Sequence, residues 1–167
     1  SGSVAEHTIG LIIAVAKHML RHDRELRAAN FAIRNQLPGI DLENKVLGII
    51  GTGRIGRLVA KKAAGGLDMK VIGFDPYVGA SRVDGIEMVG SIEELLKISD
   101  VVTLHIPATR ETIGLIGPEE LKLMQPHAIL INAARGGIVD EKALAEALRQ
   151  KTIAGAGLDV FADEPPD

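Results

Sequence analysis

The hexapeptide Gly51-Thr52-Gly53-Arg54-Ile55-Gly56 directly follows the apolar run Leu47-Gly48-Ile49-Ile50. That junction constrains the fold more than any other stretch of the chain. Three glycines in a G-x-G-x-x-G spacing, at a strand end and a helix start, have separate physical purposes. Gly51 permits a tight turn, Gly53 removes a Cβ where a pyrophosphate would approach the backbone, and Gly56 lets the helix pack close to the strand. The first turn of such a helix presents free amides to phosphate oxygens. A purely structural glycine turn has the same spelling, so context has to decide.

The context is regular. Short β-branched runs are expected as strands at 45–50, 70–74, 85–89 (a short edge), 101–105, 128–131 and 153–158, with helices near 55–64, 92–98, 118–124 and 141–150 between them. Ser91 with Glu94 has the spacing of a capping box, and Pro118 after Gly117 suits a first helical position. Near-continuous apolar strands separated by helices imply a parallel sheet covered on both faces. The fold class is therefore α/β, a doubly wound parallel sheet of Rossmann type. Ahead of it, Ile9, Ile12, Ile13, Ala16, Met19 and Leu20 recur at helical spacing, which predicts one additional long N-terminal helix within residues 1–30.

Asp75 ends the second expected strand, close to the roughly 20-residue spacing of a ribose-binding acid. A carboxylate there accepts hydrogen bonds from a ribose and repels a 2′-phosphate, so NAD is favoured over NADP. A turn-forming Asp before Pro76 is the plainer alternative.

Composition excludes several other classes. The chain has a net charge of −3 with scattered cations, and Tyr77 and three Phe are its only aromatic residues. Neither a basic footprint nor a stacking platform for nucleic acid is present. There is no Cys, which removes thiolate nucleophiles and thiolate-ligated zinc and accords with a reducing compartment. The apolar stretch from Ile9 to Ala16 falls far short of the roughly 18 residues of a membrane span. The expectation is a soluble, cytoplasmic protein without nucleic-acid or membrane partners. His18 and His22 share a helical face, but no third ligand is evident and no metal site is expected.

Several further segments carry a specific resemblance: Val4-Ala5-Glu6-His7-Thr8, Asp100 to Pro107, Asn132-Ala133-Ala134-Arg135-Gly136-Gly137 and Leu158-Asp159-Val160-Phe161. With Gly53-Arg54-Ile55-Gly56, these resemble the D-isomer-specific 2-hydroxyacid dehydrogenases, which include phosphoglycerate dehydrogenases and glyoxylate or hydroxypyruvate reductases. The resemblance implies that Arg54 and Ile55 contact the pyrophosphate, Asp75 the ribose, and Ile106 with Pro107 the adenosine side. It places Ala133, Ala134, Arg135 and Asp159 at the nicotinamide end. Arg135 is also suited to fork onto the carboxylate of a 2-hydroxy or 2-oxo acid, a surface arginine being the alternative. Glu164 resembles the acid that holds a histidine base, though an acid-rich solvated turn has the same composition.

The resemblance further implies a base histidine after the Glu-Pro-Pro segment and a separate substrate domain. Neither lies in residues 1–167. Those residues read as one NAD-binding domain, incomplete at its C-terminus. Residues 1–30 would form a dimer or interdomain contact, 45–167 would form the Rossmann core, and the substrate domain is absent. The implied activity is NAD-dependent hydride transfer to or from a D-2-hydroxy acid, 3-phosphoglycerate among them, with no turnover by these residues alone. Two competing readings are an NAD-responsive, dimerising corepressor and a different Rossmann enzyme such as an adenosylhomocysteine hydrolase or a methyltransferase. The combined Arg135 and Glu164 context disfavours the second.

Overall fold

The computed structural model describes residues 1–78 and 83–166. Before the sheet come α1 (Gly2–Ala16), α2 (Met19–Arg27) and the single turn α3 (Ile33–Gln36). Strands and helices then alternate as β1 (Val46–Ile50), α4 (Arg54–Leu67), β2 (Lys70–Phe74), β3 (Glu87–Met88), α5 (Ile92–Ile98), β4 (Val101–Leu104), α6 (Pro118–Leu123), β5 (Ile129–Asn132), α7 (Glu141–Arg149) and β6 (Gly155–Leu158). The sheet has six strands in the order β3-β2-β1-β4-β5-β6. Every pairing between them is parallel.

Strand periodicity sorts the side chains into two cores. Leu47, Ile49, Ile129 and Ile131 face α1 and α4, where they meet Ile12, Val59 and Ala63. Ile50, Leu104 and Leu130 face the other way and pack with Leu95, Leu96, Leu121 and Leu144 of α5, α6 and α7. Burial on both sides explains why the strands read as continuous apolar runs. Helix starts follow local chemistry. Ser91 Oγ accepts from Glu94 N–H at 3.1 Å, while Glu94 reaches back to the Gly90 N–H at 2.9 Å, one residue ahead of the cap. Asp140 caps α7 by accepting from Ala143 N–H at 3.0 Å.

The expected long N-terminal helix is not continuous. It breaks after Ala16, where His18 takes a left-handed conformation (φ 50°). The cause is tertiary. The Ala16 carbonyl accepts from Ile40 N–H at 2.8 Å, and a Cβ on Gly39 would stand 2.9 Å from Lys17 Cδ. The segment leading to β1 therefore crosses the end of α1 at close range and takes a carbonyl that a longer helix would use. One face of α1 packs into the domain, with Ala5, Thr8, Ile12 and Ala16 buried, while Val4, Ile9, Leu11, Ile13 and Val15 are only partly buried. Helix α2 buries no residue.

The crossing from β1 to β4 reverses the direction in which strands are added, and the carboxyl ends at that reversal form a crevice. Gly51, Asp75 and His105 follow β1, β2 and β4 and meet there.

Candidate functional site

The crevice begins with the fingerprint turn. Gly51 has φ +94°, and a Cβ on it would stand 2.5 Å from the His105 carbonyl oxygen, so only glycine fits. A Cβ on Gly56 would stand 2.2 Å from the Gly51 carbonyl oxygen, so the third glycine lets the helix close onto the turn. Gly53 differs, because nothing lies within 4 Å of the position its Cβ would take. That open space adjoins the N-terminus of α4, which has no side-chain cap. The amides of Arg54, Ile55 and Gly56 thus lack intrahelical acceptors and front the open space beside Gly53. These features fit a pyrophosphate.

Asp75 is tied to the same turn. Its Oδ2 accepts from Thr52 N–H at 2.9 Å, and its Oδ1 accepts from Tyr77 N–H at 3.1 Å. Gly51, Gly53, Asp75, His105, Ile106 and Pro107 line one cavity of about 400 Å³, so five of the residues chosen from sequence converge. Pro107 is set by its loop, since Thr112 Oγ1 donates to the Pro107 carbonyl at 2.6 Å. Burial holds the His105 imidazole well below its ordinary range, at about 4. It is therefore neutral near pH 7, with Nε2 3.1 Å from Thr103 Oγ1, and places no cation in this cavity. The side chains of Arg54 and Ile55 do not line this cavity. Arg54 borders an opening on the outer side of α4 with Arg57 and Lys61, and Ile55 packs toward the core.

A second group forms at the ends of β5 and β6, around Asn132, which is 2% exposed. Its Nδ2 donates to the Arg135 carbonyl at 3.0 Å, its Oδ1 accepts from Ala134 N–H at 3.1 Å, and its own carbonyl accepts from Asp159 N–H at 3.0 Å. One buried side chain and its peptide thus set both loops. Arg135 is exposed, with Nη1 donating to the Ala134 carbonyl at 2.6 Å. Together with Ala134, Phe161 and Glu164 it lines a cavity of about 410 Å³. Glu164 Oε1 accepts from Phe161 N–H at 3.1 Å. Ala133 is buried, so it contributes backbone to the turn. Asp159 lies outside that cavity, its Oδ1 3.2 Å from His7 Nε2.

A family model described as "D-isomer specific 2-hydroxyacid dehydrogenase, NAD binding domain" matches residues 9–167. The chain belongs to that family. The D-3-phosphoglycerate dehydrogenase of Methanocaldococcus jannaschii is 45% identical over 166 residues, covering 98% of this domain and 31% of that protein. A D-lactate dehydrogenase from Aquifex aeolicus, solved with NAD and lactic acid, is 40% identical with TM-score 0.89 over 98% of this domain and 49% of that chain. An acyclic imino acid reductase solved with NADPH and D-arginine is 38% identical with TM-score 0.89, covering 99% of this domain and 53% of that chain. This NAD-binding domain therefore spans about half the length of those two solved chains or less than half of the dehydrogenase from Methanocaldococcus.

Three residues with structural contacts around these loops were given no role by sequence, although two of them, His7 and Asn132, stand in segments that carry the resemblance. Asn132 reads as an ordinary strand-ending residue, and only its position two before an Ala-Arg pair hints at a turn-forming role. Glu141 reads as a first-turn acid of α7, yet its Oε1 accepts from Ala162 N–H at 2.6 Å and ties that helix to the Glu164 loop. His7 reads as part of a helix face. Among the described residues no helix is long and apolar enough to cross a membrane, and no cluster of three His, Asp or Glu side chains is placed to hold a metal ion.

Proposed function

We propose that this domain is the cofactor half of a dehydrogenase that transfers a hydride between NAD(H) and C2 of a D-2-hydroxy or 2-oxo acid. The observation that carries the reading is the convergence of Arg135 and Glu164 on one cavity at the carboxyl ends of β5 and β6. A planar guanidinium matches a carboxylate at two points and orients the carbon beside it. A carboxylate such as Glu164 favours the protonated form of a histidine and so raises its basicity. None of the five histidines among these residues lines that cavity, so the base comes from elsewhere in the enzyme. Bound NAD supplies the hydride acceptor. The dehydrogenase and reductase names of the relatives favour this reading over a corepressor. The test is NADH oxidation by the whole enzyme against 3-phosphohydroxypyruvate, hydroxypyruvate, glyoxylate and pyruvate. Turnover of one supports the proposal, and turnover of none overturns it.

The same reading extends to cofactor choice. Asp75 is held by two backbone amides, so it cannot swing away from a 2′-phosphate without losing both. The expected result is NADH binding at least about tenfold tighter than NADPH, because juxtaposed like charges are strongly unfavourable. Calorimetric titration of this chain with both cofactors decides it, and equal affinities would remove the argument.

We further propose a homodimer in the cytoplasm. Support for association comes from exposed apolar side chains on and after α2, with Met19 at 53%, Leu20 at 80%, Leu26 at 49% and Phe31 at 63%. Four large apolar side chains exposed within thirteen residues of chain offer apolar area that a second copy could cover. Sedimentation equilibrium should give a two-fold species that Leu20→Lys returns to monomer. A wild-type protein that stays monomeric across concentrations refutes it. The absence of Cys accords with a reducing compartment.

A further inference from the structure

We propose that His7 is a positioning residue for Asp159 and, through it, for the nicotinamide end of the bound dinucleotide. The inference rests on the reading of the domain as an NAD site. In a doubly wound sheet ordered β3-β2-β1-β4-β5-β6, the half built on β1 to β3 takes adenosine and the half built on β4 to β6 takes the second nucleoside. Asp159 directly follows the last strand of that second half, and its N–H is fixed to the Asn132 carbonyl at 3.0 Å.

Its side chain has a separate anchor. His7 Nε2 stands 3.2 Å from Asp159 Oδ1, and among the described residues no Lys or Arg pairs with that carboxylate. The two side chains are 51% and 52% exposed, so as a contribution to folding the pair is worth little. Its location gives it a different value. His7 belongs to α1, a rigid element with Ala5, Thr8 and Ile12 wholly buried and with Glu6 Oε1 3.5 Å from Lys62 Nζ on α4. An exposed loop carboxylate is thus paired with a fixed helix before ligand arrives. With Oδ1 held by His7, Oδ2 is the acceptor left for the amide N–H of a nicotinamide. Ordering an acceptor in advance removes a penalty that binding would otherwise carry.

The test compares two ligands on this same chain, NADH and ADP-ribose, which lacks the nicotinamide. Wild type should bind NADH more tightly than ADP-ribose. Asp159→Asn should cut that advantage about tenfold, the size of a hydrogen bond to a charged group. His7→Leu should cut it about fivefold, with ADP-ribose affinity held within about twofold, because only pre-ordering is lost. His7→Gln, which keeps a donor near the Nε2 position, should restore most of it. The double variant should be no worse than Asp159→Asn alone, since both act on one contact. Three results overturn the proposal: an unchanged advantage in His7→Leu, an equal loss for both ligands, or additive losses in the double variant. Wild type binding neither ligand would sink the NAD reading itself. Wild type binding both equally would spare the NAD reading and remove any nicotinamide contact for His7 to position.

Discussion

Replacing Gly136 with alanine should be among the most damaging single-methyl additions in this domain. A Cβ there would stand 1.7 Å from the Phe161 carbonyl oxygen and 2.3 Å from its carbon. Both are backbone atoms, so no rotamer change relieves the overlap. Two loops would have to separate, the one carrying Arg135 and the one carrying Glu164. The second is also held from outside by Glu141, which accepts from Ala162 N–H at 2.6 Å, so it cannot move without losing that bond. Overpacking against backbone is expected to lower stability by about 3 kcal/mol. For a domain of this size that corresponds to a fall in Tm of roughly 6–12 °C. The internal control is Gly65→Ala in α4, where nothing lies within 4 Å of the new Cβ. The same change there should stabilise by about 0.5–1 kcal/mol, because alanine loses less backbone freedom in a helix. Thermal melts of the two variants should therefore move in opposite directions. A Gly136→Ala protein melting with wild type would mean that the two loops are not in contact in solution.

Most of the architecture was legible in the sequence, because strands buried on both faces write themselves as uninterrupted apolar runs and helices between them carry start signals such as Ser91 with Glu94 and Pro118 after Gly117. The glycine turn and the acid beside it were legible for a similar reason. Gly51, Gly56 and Asp75 satisfy requirements that are local to one turn and the strand beside it. What was hidden depends on contacts between distant segments. Met19 and Leu20 continue the helical register of α1, so nothing in that pattern announces the break at His18. The break is imposed by Gly39 and Ile40 arriving from later in the chain. His7, Asn132 and Glu141 likewise carry no local signal of their contacts: His7 and Glu141 meet the loop after β6, and Asn132 joins that loop to the Arg135 turn. Within residues 1–30, where a dimer or interdomain contact is expected, the most exposed large apolar side chains are Leu20, Met19 and Leu26 of α2, while those of α1 are partly or wholly buried.

Arg135→Ala and Glu164→Gln in the whole enzyme should fail in different ways, although both side chains line one cavity. Arg135 is exposed, and among the described residues its guanidinium hydrogen-bonds only to the neighbouring Ala134 carbonyl, so the turn does not depend on its guanidinium. Asn132 holds that turn instead. Removing the guanidinium should therefore leave stability nearly unchanged. It should still raise KM for the 2-oxo acid and lower kcat, because one fork supplies both affinity and alignment. A combined loss in kcat/KM of about a hundredfold or more corresponds to roughly 3 kcal/mol, the upper range for hydrogen bonds to a charged group. NADH affinity should change far less. Glu164→Gln keeps an oxygen to accept from Phe161 N–H, as Oε1 does now at 3.1 Å, so the loop should stay in place. What disappears is the negative charge that favours a protonated histidine. The pKa of that base should fall, and the limb of the kcat/KM profile that reports it should shift to lower pH. Steady-state kinetics across pH for both variants separates the two roles. Unchanged KM and kcat in Arg135→Ala would return that residue to an ordinary surface arginine. An unmoved pH profile in Glu164→Gln would leave the acid-rich turn as the better account of Glu164.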